Sequence, residues 1–375
     1  MIVLPATVLL FAASLVVLPD ASPSLFLYDK FITNDKRLQK TFTGKRIWIT
    51  GASSGIGAEL ARQLYGHGAN IIISGRREQE LNKVHAICKR SHADHSKSSN
   101  SISVLPFDVT DTDERISDVV STALEYYDGI DILILNAGSG QLSPALDDSF
   151  STTRALMEVN FMGPVRLAME VMKQERWGKY DESIDLTTPK QGHIVVTSSI
   201  ASKMALPLGT SYAASKHAVH GYFSSLRSEC KWLRIDLPCP GPIATDFQSN
   251  VLNGVTPSSS SSKEEEDTSE AKMPVERCAK LILSGMMGPA SIMQETWISR
   301  QPTLLFMFIN QYFPNLSTAI LGKIGPLRLK AYQAGLPLYR VSSWLQAAKM
   351  EKEEKAAREV KKLEREREPL IKSDL

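Results

Sequence analysis

The sequence has few cysteines and little net charge, and both scarcities exclude classes of protein. Its 4 cysteines lack the paired spacing of a disulfide framework or a zinc motif. Its 7 histidines form only short local pairs without cysteine or acidic ligands nearby, so we expect no metal site. The formal net charge of +2 gives no sign of a nucleic-acid partner.

The chain is long enough to bury one large core, with 375 residues of which 43% are hydrophobic. Short apolar runs alternate with helical patterns along most of it. The candidate strands are residues 46–49, 70–74, 103–107, 131–135, 193–197, 233–237 and 296–299. Several are continuous apolar runs, which are typical of parallel strands covered by helices on both faces. The pattern predicts an α/β fold with a Rossmann-type doubly wound parallel sheet of about seven strands.

A glycine-rich turn follows the first candidate strand and opens a helical pattern. Its residues of interest are Gly51, Ser53, Ser54, Gly55, Ile56 and Gly57. A side chain at the glycine positions would keep the backbone away from a pyrophosphate, whereas the N–H groups and the dipole of the new helix attract an anion. Such turns also occur for packing reasons, so the turn alone does not establish a nucleotide site.

A second motif follows much later in the chain. Tyr212 and Lys216 are four residues apart in a helical pattern and therefore share one face. An ammonium held near a phenol favours the phenolate, which suits Tyr212 for acid/base chemistry. Ser199 precedes Tyr212 by 13 residues and follows a candidate strand, where its hydroxyl would hydrogen-bond a substrate oxygen. Each residue alone also fits a structural role, but their order after the glycine turn favours catalysis.

Together these motifs resemble the short-chain dehydrogenase/reductase family, whose members share a glycine turn, an Asn-Ala-Gly element and a Ser, Tyr, Lys, Asn tetrad. The resemblance spans residues 44–340 and adds Asn160 to the catalytic set. Besides the glycine turn, Tyr212 and Lys216, it assigns cofactor contacts to Asp108, Val109, Asn136, Ala137, Gly138, Gly241, Ile243 and Thr245. Segments 277–281 and 295–302 further resemble the membrane-associated dehydrogenase/reductase SDR family member 7 group.

The resemblance implies hydride transfer between a nicotinamide and a carbonyl or alcohol carbon. Tyr212 would give or take the proton, Lys216 would acidify the phenol and bind the nicotinamide ribose, and Ser199 would bind the substrate oxygen. Asn160 would position a water in a proton relay, and back-bonding in a kinked helix is its alternative role.

The end of the second candidate strand predicts the choice of cofactor. Enzymes that prefer NAD usually carry an acidic residue there, but residues 73–77 contain no carboxylate and include Arg76 and Arg77. A guanidinium suits the 2′-phosphate of NADP(H), which we therefore predict as the cofactor. Both arginines also fit the exposed start of a helix.

The predicted substrate is a small lipophilic carbonyl or alcohol of steroid, retinoid or related lipid type. This prediction depends on the family resemblance and on a predicted membrane anchor. One alternative is a ketoreductase of lipid synthesis that reduces a 3-keto sphingoid or acyl chain. Another is a catalytically silent nucleotide-binding membrane scaffold. Homodimers are usual in the family.

Both ends of the chain extend beyond the predicted domain at 44–340. Residues 1–19 carry no charge, so we interpret them as a membrane anchor rather than a signal peptide, with a linker at 20–43. Residues 341–375 predict a charged, solvated helical tail. Basic residues after the anchor favour the cytoplasmic side, whereas the final Lys-Ser-Asp-Leu resembles a luminal retention signal. Both fit the endoplasmic reticulum membrane and disagree about its side.

Three interior regions are unusual. Residues 256–272 are rich in serine and acid and predict a disordered insertion, either a plain surface loop or a lid. Residues 303–313 are apolar and aromatic, which fits core or dimer packing or a helix in the lipid interface. The region before Pro240 looks shorter than the family pattern and alternates polar Arg234 and Asp236 with apolar residues. We therefore expect a distorted sixth strand or an imperfect sequence there.

Overall fold

The computed structural model describes residues 20–91, 100–174, 177, 192–204, 206–230, 232–247, 251–252, 272–338 and 341–371. The predicted anchor at 1–19, residues 256–271 of the insertion and the last residues, 372–375, lie outside these ranges. All the predicted site residues lie within them.

Seven parallel strands form one sheet, as predicted. They are β1 (Arg46–Thr50), β2 (Asn70–Ser74), β3 (Ile102–Val104), β4 (Ile132–Leu135), β5 (Gly192–Val196), β6 (Leu233–Pro240) and β7 (Glu295–Ile298). Their spatial order is β3-β2-β1-β4-β5-β6-β7. The chain order reverses between β1 and β4, and in such sheets ligands bind outside the carboxyl ends of the strands at this point.

Helices cover both faces of the sheet. In chain order, the helices of the described residues, whether or not they pack on the sheet, are α1 (Pro23–Phe31), α2 (Asp35–Phe42), α3 (Gly55–Gly66), α4 (Glu78–Ser91), α5 (Asp113–Tyr126), α6 (Phe150–Met157), α7 (Gly163–Met172), α8 (Thr210–Glu229), α9 (Val275–Met287), α10 (Ala290–Met293), α11 (Thr303–Tyr312), α12 (Pro314–Gln333) and α13 (Val341–Ile371). Shorter elements are a π-helix at Glu158–Met162 and 3-10 turns at Ala145–Asp147 and Ile200–Ser202.

The two faces of the sheet carry separate apolar cores because successive strand residues point to opposite sides. Ile47 and Ile49 of β1 belong to the core that includes residues of α3 and α9. Trp48, between them, belongs to the core that includes residues of α5, α7 and α8. Burial on both sides explains why the strands have continuous apolar runs.

The expected linker at 20–43 is instead folded onto the first core, which corrects our interpretation. Leu25 of α1, and Leu38 and Phe42 of α2, are all fully or almost fully buried. The Arg277 guanidinium of α9 forms an ion pair with Asp20 at 2.8 Å and another with the buried Asp29. Leu38 and Phe42 lie four residues apart and form a short apolar stripe, which the surrounding polar residues hide in the sequence.

The sixth strand is continuous over eight residues, contrary to the distortion expected there. Leu233–Asp236 of β6 pair with β5, and Leu237–Pro240 pair with β7. Its Arg234 donates hydrogen bonds to the carbonyls of Gly285 and Gly288, at 2.7 and 2.8 Å. Its Asp236 lies 2.8 Å from both Arg234 and His193. Arg234 and Asp236 thus neutralise each other, and Arg234 provides hydrogen-bond donors for carbonyls at the end of α9.

Burial lowers the pKa of His193, and the nearby Asp236 carboxylate acts in the opposite direction.

Contacts divide the chain into two compact units, and in the described residues the first unit ends at Pro314. The predicted domain extends to 340, whereas residues 315–338 belong to the second unit. Within that unit Lys330 of α12 forms an ion pair with Glu351 of α13. Across the part of the chain that the structure describes, no helix combines the length and hydropathy of a membrane span.

Candidate active site

Most of the predicted site residues follow the carboxyl ends of strands in the first unit, and the others lie on α8 and on the π-helix. Ile49 of β1 pairs with Ile134 of β4, so the glycine turn and the Asn-Ala-Gly element leave the sheet side by side. The segments after β2 and β3 carry Arg76 and Asp108, and those after β5 and β6 carry Ser199 and Gly241. One edge of the sheet therefore collects both predicted motifs.

The glycine turn approaches the Asn-Ala-Gly element so closely that side chains are excluded. Gly51 has a φ of 65°, and a Cβ on it would lie 2.7 Å from the Cα of Ala137. A Cβ on Gly57 would lie 2.3 Å from the Gly51 carbonyl oxygen and 2.6 Å from the Asn136 side-chain nitrogen. Gly55 also has a positive φ, of 57°. These glycines are required by the backbone itself.

Hydrogen bonds join the two segments. The Asn136 side chain donates to the carbonyls of Thr50 and Gly51, at 3.3 and 3.2 Å. The Thr50 hydroxyl accepts from the backbone N–H groups of Asn136 and Ala137, at 3.1 and 3.2 Å. The turn is thus held in shape before any ligand binds, with the N-terminus of α3 behind it. The Ser54 side chain makes no capping bond there.

Basic residues lie next to this turn. Arg77 donates to the hydroxyls of Ser53 and Ser54, at 3.0 and 2.8 Å. Arg76 is 72% exposed and lies 3.6 Å from the carboxylate of Asp108. The Asp108 carboxylate also accepts from the Thr110 N–H at 3.0 Å, which closes a tight turn after β3. An anion at the end of β2 would therefore lie near two guanidinium groups, one of which is bonded to the glycine turn while the other is largely exposed.

Val109 and Ile56, two of the predicted cofactor contacts, are packed against other parts of the fold. A Cβ on Gly163, the first residue of α7, would lie 2.4 Å from the Val109 carbonyl oxygen, so this helix starts directly against the segment after β3. Ile56 packs against the first apolar core. Both positions shape the backbone of the predicted cofactor site.

Lys216 and Asn160 meet at the Asn-Ala-Gly element. A Cβ on Gly138 would lie 2.9 Å from the Asn160 Oδ1 and 3.6 Å from the Lys216 Nζ. The Lys216 ammonium donates to the carbonyl of Thr197, at the end of β5, with a distance of 3.0 Å. Burial lowers the pKa of Lys216 to about 8, with the Cys239 thiol acting in the opposite direction. A bound anion would oppose this loss of charge.

The Asn160 amide is buried and satisfied. It lies in the π-helix Glu158–Met162, between α6 and α7. Its Oδ1 accepts from the Ser139 N–H at 2.8 Å, and its Nδ2 donates to the Ser139 carbonyl and the Ser215 hydroxyl, both at 2.9 Å. The Asn160 side chain therefore bonds to Ser139 and Ser215 and not to a carbonyl of its own helix, which was the alternative role. Short π-helical turns of this kind are frequent at functional sites.

Tyr212 lies in the first turn of α8, one helical turn before Lys216. The Lys216 Nζ is 6.0 Å from the centre of the Tyr212 ring. The ring of Phe247 packs against the ring of Tyr212, with 6.1 Å between centres. The two catalytic candidates on α8 therefore share one face, as predicted from their spacing.

Ser199 is buried at the end of β5. Its hydroxyl accepts from the Ala201 N–H at 3.1 Å and lies 3.5 Å from the carbonyl oxygen of Pro240. The 3-10 turn Ile200–Ser202 that it caps packs against α8. Ser199 and Tyr212 thus belong to elements in direct contact.

The segment after β6 completes the edge. A Cβ on Gly241 would lie 2.3 Å from the Ser299 hydroxyl oxygen, so this glycine is also required for packing. Ile243 forms an isolated bridge with Met273. Thr245 lies beside the glycine turn, where a Cβ on Gly55 would be 3.4 Å from its side chain.

Sequence reasoning missed the residues that hold these groups in place. Thr50 supports the Asn-Ala-Gly element and Ser215 supports Asn160, but hydroxyls at such positions have no distinctive pattern in a sequence. Gln141 was also missed. Its side-chain Oε1 accepts from the backbone N–H groups of Ser211 and Tyr212, at 2.8 and 3.1 Å.

The site fits a dinucleotide. Its glycines leave room against a helix N-terminus, where N–H groups and the helix dipole favour a pyrophosphate. Its buried cation, Lys216, lies one turn from a phenol, which suits proton transfer. Within the described residues no group of three or more His, Cys, Asp or Glu could bind a metal ion.

Comparison with known proteins agrees with this geometry. A family model described as short chain dehydrogenase matches residues 45–255. Dehydrogenase/reductase SDR family member 7 of Homo sapiens is 34% identical over 304 residues, which cover 80% of this chain and 84% of that protein. A family protein 7-like of Dictyostelium discoideum is 37% identical over 241 residues, covering 63% and 71%. The resemblance to the member 7 group is confirmed.

Solved structures share the fold at lower identity. An alcohol dehydrogenase from the archaeon Thermococcus sibiricus, complexed with 5-hydroxy-NADP, has a TM-score of 0.55 and 20% identity, covering 68% of this chain and 97% of that one. A short chain dehydrogenase/reductase from Burkholderia phymatum in complex with NAD has a TM-score of 0.58 and 21% identity, covering 73% and 95%. Because the family model matches more than half of the chain and the human relative matches most of it, the chain belongs to the short-chain dehydrogenase/reductase family of oxidoreductases, which act on CH–OH groups.

Proposed function

We propose that this protein is an NADP(H)-dependent oxidoreductase that transfers hydride between the nicotinamide and a carbonyl or alcohol of a lipophilic substrate. The observation that carries the proposal is the meeting of the buried Lys216 with Gly138 and Asn160 at the sheet edge, one helical turn from Tyr212. Hydride transfer with proton exchange needs a phenol that can exchange a proton and a cation that stabilises its phenolate. It also needs a bound nicotinamide, and glycines leave room for that cofactor against the backbone.

The four candidate catalytic residues have separate roles in the proposed reaction. A bound nicotinamide supplies or accepts the hydride. Tyr212 donates a proton to the substrate oxygen during reduction and takes it back during oxidation. Lys216 stabilises the phenolate that remains, and Ser199 donates a hydrogen bond to the same substrate oxygen. Asn160 fixes the Ser139 backbone and the Ser215 hydroxyl next to Lys216.

The surroundings of Tyr212 support a lipophilic substrate. The Phe247 ring, 40% exposed, packs on the Tyr212 ring. A Cβ on Gly140 would lie 2.8 Å from Phe247 and 3.1 Å from the Val251 side chain, so these apolar groups close in on the loop after β4. A panel of carbonyl compounds graded by hydrophobicity tests the function. Oxidation of NADPH should be fastest with the lipophilic members and should depend on Tyr212.

NADP(H) as the preferred cofactor is supported by the two arginines after β2. Arg77 already bonds the hydroxyls of the glycine turn, and the Arg76 side chain is exposed. Residues 74–77 include no carboxylate that would accept from a ribose hydroxyl. A 2′-phosphate between these groups would gain charge-assisted hydrogen bonds.

Replacing both Arg76 and Arg77 by Ala should raise the KM for NADPH by roughly 10- to 100-fold and change the KM for NADH little. Hydrogen bonds to charged groups contribute about 1.5–3 kcal/mol each, and only NADPH has the 2′-phosphate that would make them. Steady-state kinetics with both cofactors measures the ratio. Arg90→Ala, at the exposed end of α4, is the matched control and should change neither constant. Parallel changes for NADPH and NADH would refute the assignment.

We also propose that the enzyme is attached to the endoplasmic reticulum membrane through residues 1–19, with 303–313 as a second contact. The uncharged segment at residues 1–19 supports a membrane attachment. In the second region Tyr312 and Phe313 are 67% and 62% exposed, although both are aromatic. Aromatic side chains of this kind suit the boundary between lipid and water.

Extraction of membranes with alkaline carbonate should leave the full chain in the pellet, because an apolar anchor is held by the hydrocarbon core and not by charge. A variant without residues 1–19 should be released. Release of the full chain would show that the N-terminal segment does not anchor it.

A further inference from the structure

The catalytic helix has no side-chain cap of its own. Its N-cap residue is Gly209, which has no side chain to accept from the first N–H groups of α8. Helices leave such groups without partners in their first turn, and burying them unpaired costs free energy. Here the side chain of Gln141, from the loop after β4, accepts from two of them: Ser211 at 2.8 Å and Tyr212 at 3.1 Å.

The direction of the Gln141 amide is determined by its other contacts. Its Nε2 donates to a carboxylate oxygen of Asp148 and lies 3.4 Å from the Ser143 hydroxyl. A carboxylate only accepts hydrogen bonds, so the nitrogen must face Asp148 and the oxygen must face α8. Gln141 is 6% exposed, and its contacts with the helix are therefore shielded from water.

The two loops are also joined through their backbones. The Ser143 N–H donates to the carbonyl of Leu208 at 3.0 Å. Leu208 has a φ of 72°, a conformation that costs free energy for a leucine and persists only where its surroundings impose it. On the other side, the Leu252 N–H donates to the carbonyl of Gly140 at 3.0 Å. Gln141 therefore lies at the centre of a bonded junction that ends at the backbone of Tyr212.

We propose that Gln141 is a positioning residue, which caps α8 from outside and sets the location of the Tyr212 phenol. The role rests on the proposed function of Tyr212 as the acid/base group. Gln141 positions only the first turn of α8. Lys216 is held separately by the Thr197 carbonyl, and the glycine turn is held by Asn136 and Thr50. Losing Gln141 should displace Tyr212 and leave the cofactor site intact.

Exchange of the two polar partners provides the test. Gln141→Leu removes the acceptor, and Gln141→Glu keeps it but sets a second carboxylate against Asp148. Asp148→Asn alone keeps a partner for the Gln141 nitrogen. In the double variant Gln141→Glu/Asp148→Asn, the new amide donates to the new carboxylate, whose other oxygen can accept from α8.

Gln141→Leu and Gln141→Glu should each lower kcat by roughly 10- to 100-fold, because a displacement of about 1 Å can cost 10²-fold in rate. Their dissociation constants for NADPH should not change. Asp148→Asn should be close to wild type, and the double variant should recover most of the kcat lost in Gln141→Glu. A structural defect alone would lower activity in proportion to the folded fraction, which thermal unfolding measures for every variant.

Three results would overturn the proposal. The first is wild-type kcat in Gln141→Leu. The second is a double variant as slow as Gln141→Glu. The third is a loss of NADPH affinity equal to the loss of kcat. A wild-type protein without activity on any carbonyl would be a different failure, because it removes the proposed function and the positioning role with it.

Discussion

Replacing Tyr212 by Phe should lower kcat for carbonyl reduction by about 10²- to 10⁴-fold, the usual contribution of a positioned general acid. The phenylalanine ring keeps the contact with Phe247, whose ring centre is 6.1 Å away, so the fold should be retained. The affinity for NADPH should change little, because the glycine turn and Lys216 remain. Stopped-flow or steady-state oxidation of NADPH, with cofactor binding measured by fluorescence, separates the two effects.

Tyr222→Phe is the matched control, since it removes a hydroxyl from the same helix. The Tyr222 ring packs edge-on against Phe223 and Phe161, with centres 5.3 and 5.9 Å away, on the side of the second core. This variant should retain wild-type activity. Equal rates for Tyr212→Phe, Tyr222→Phe and wild type would show that the phenol at 212 takes no part in the reaction.

Gly57→Ala should nearly abolish cofactor binding, with a dissociation constant for NADPH raised by about 100-fold, or about 3 kcal/mol. The added methyl would lie 2.3 Å from the Gly51 carbonyl oxygen and 2.6 Å from the Asn136 nitrogen. Neither the Gly51 carbonyl nor the Asn136 side chain can move away without a cost in free energy, because Gly51 already has a φ of 65° and Asn136 is bonded to the turn. Overpacking of this kind typically costs about 1–3 kcal/mol of stability as well.

Gly57 lies inside a helix, so helix propensity and steric crowding predict opposite changes in stability for Gly57→Ala. Alanine is favoured over glycine inside a helix by about 1 kcal/mol, so propensity alone predicts a more stable protein. Gly221→Ala in α8 isolates that propensity, since a Cβ there meets nothing within 4 Å. Gly221→Ala should raise the melting temperature, and Gly57→Ala should lower both the melting temperature and NADPH affinity. Unchanged NADPH affinity in Gly57→Ala would contradict a cofactor site at this turn.

The sheet could be predicted because its strands are continuous apolar runs with both faces buried. Each predicted strand lies within a few residues of an observed one, and only the polar β6 raised a false expectation of distortion. Arg234 and Asp236 looked unsuited to a strand because their partners, Gly285 and His193, lie far away in the sequence. Local patterns report burial well and long-range polar pairing poorly.

The arrangement of the candidate site was also accessible from the sequence, since the glycine turn and the spacing of Tyr212 and Lys216 predicted the close backbone approach and the shared helix face that the structure has. The supporting contacts were not. Gln141 caps a helix that starts 69 residues later, and the neighbouring Thr210 and Ser211 look like adequate caps themselves. The N-terminal helices were hidden for a similar reason, because Asp20 and Asp29 gain meaning only beside Arg277.

Transfer of deuterium from NADPH labelled at both C4 positions of the nicotinamide is the most direct test of hydride transfer at this site. With the best lipophilic carbonyl of the panel, wild-type protein should deliver one deuterium to the carbinol carbon and should work better with NADPH than with NADH, and Tyr212→Phe should deliver almost none. Product without label, or no product from any carbonyl although NADPH is bound, would contradict hydride transfer at this site.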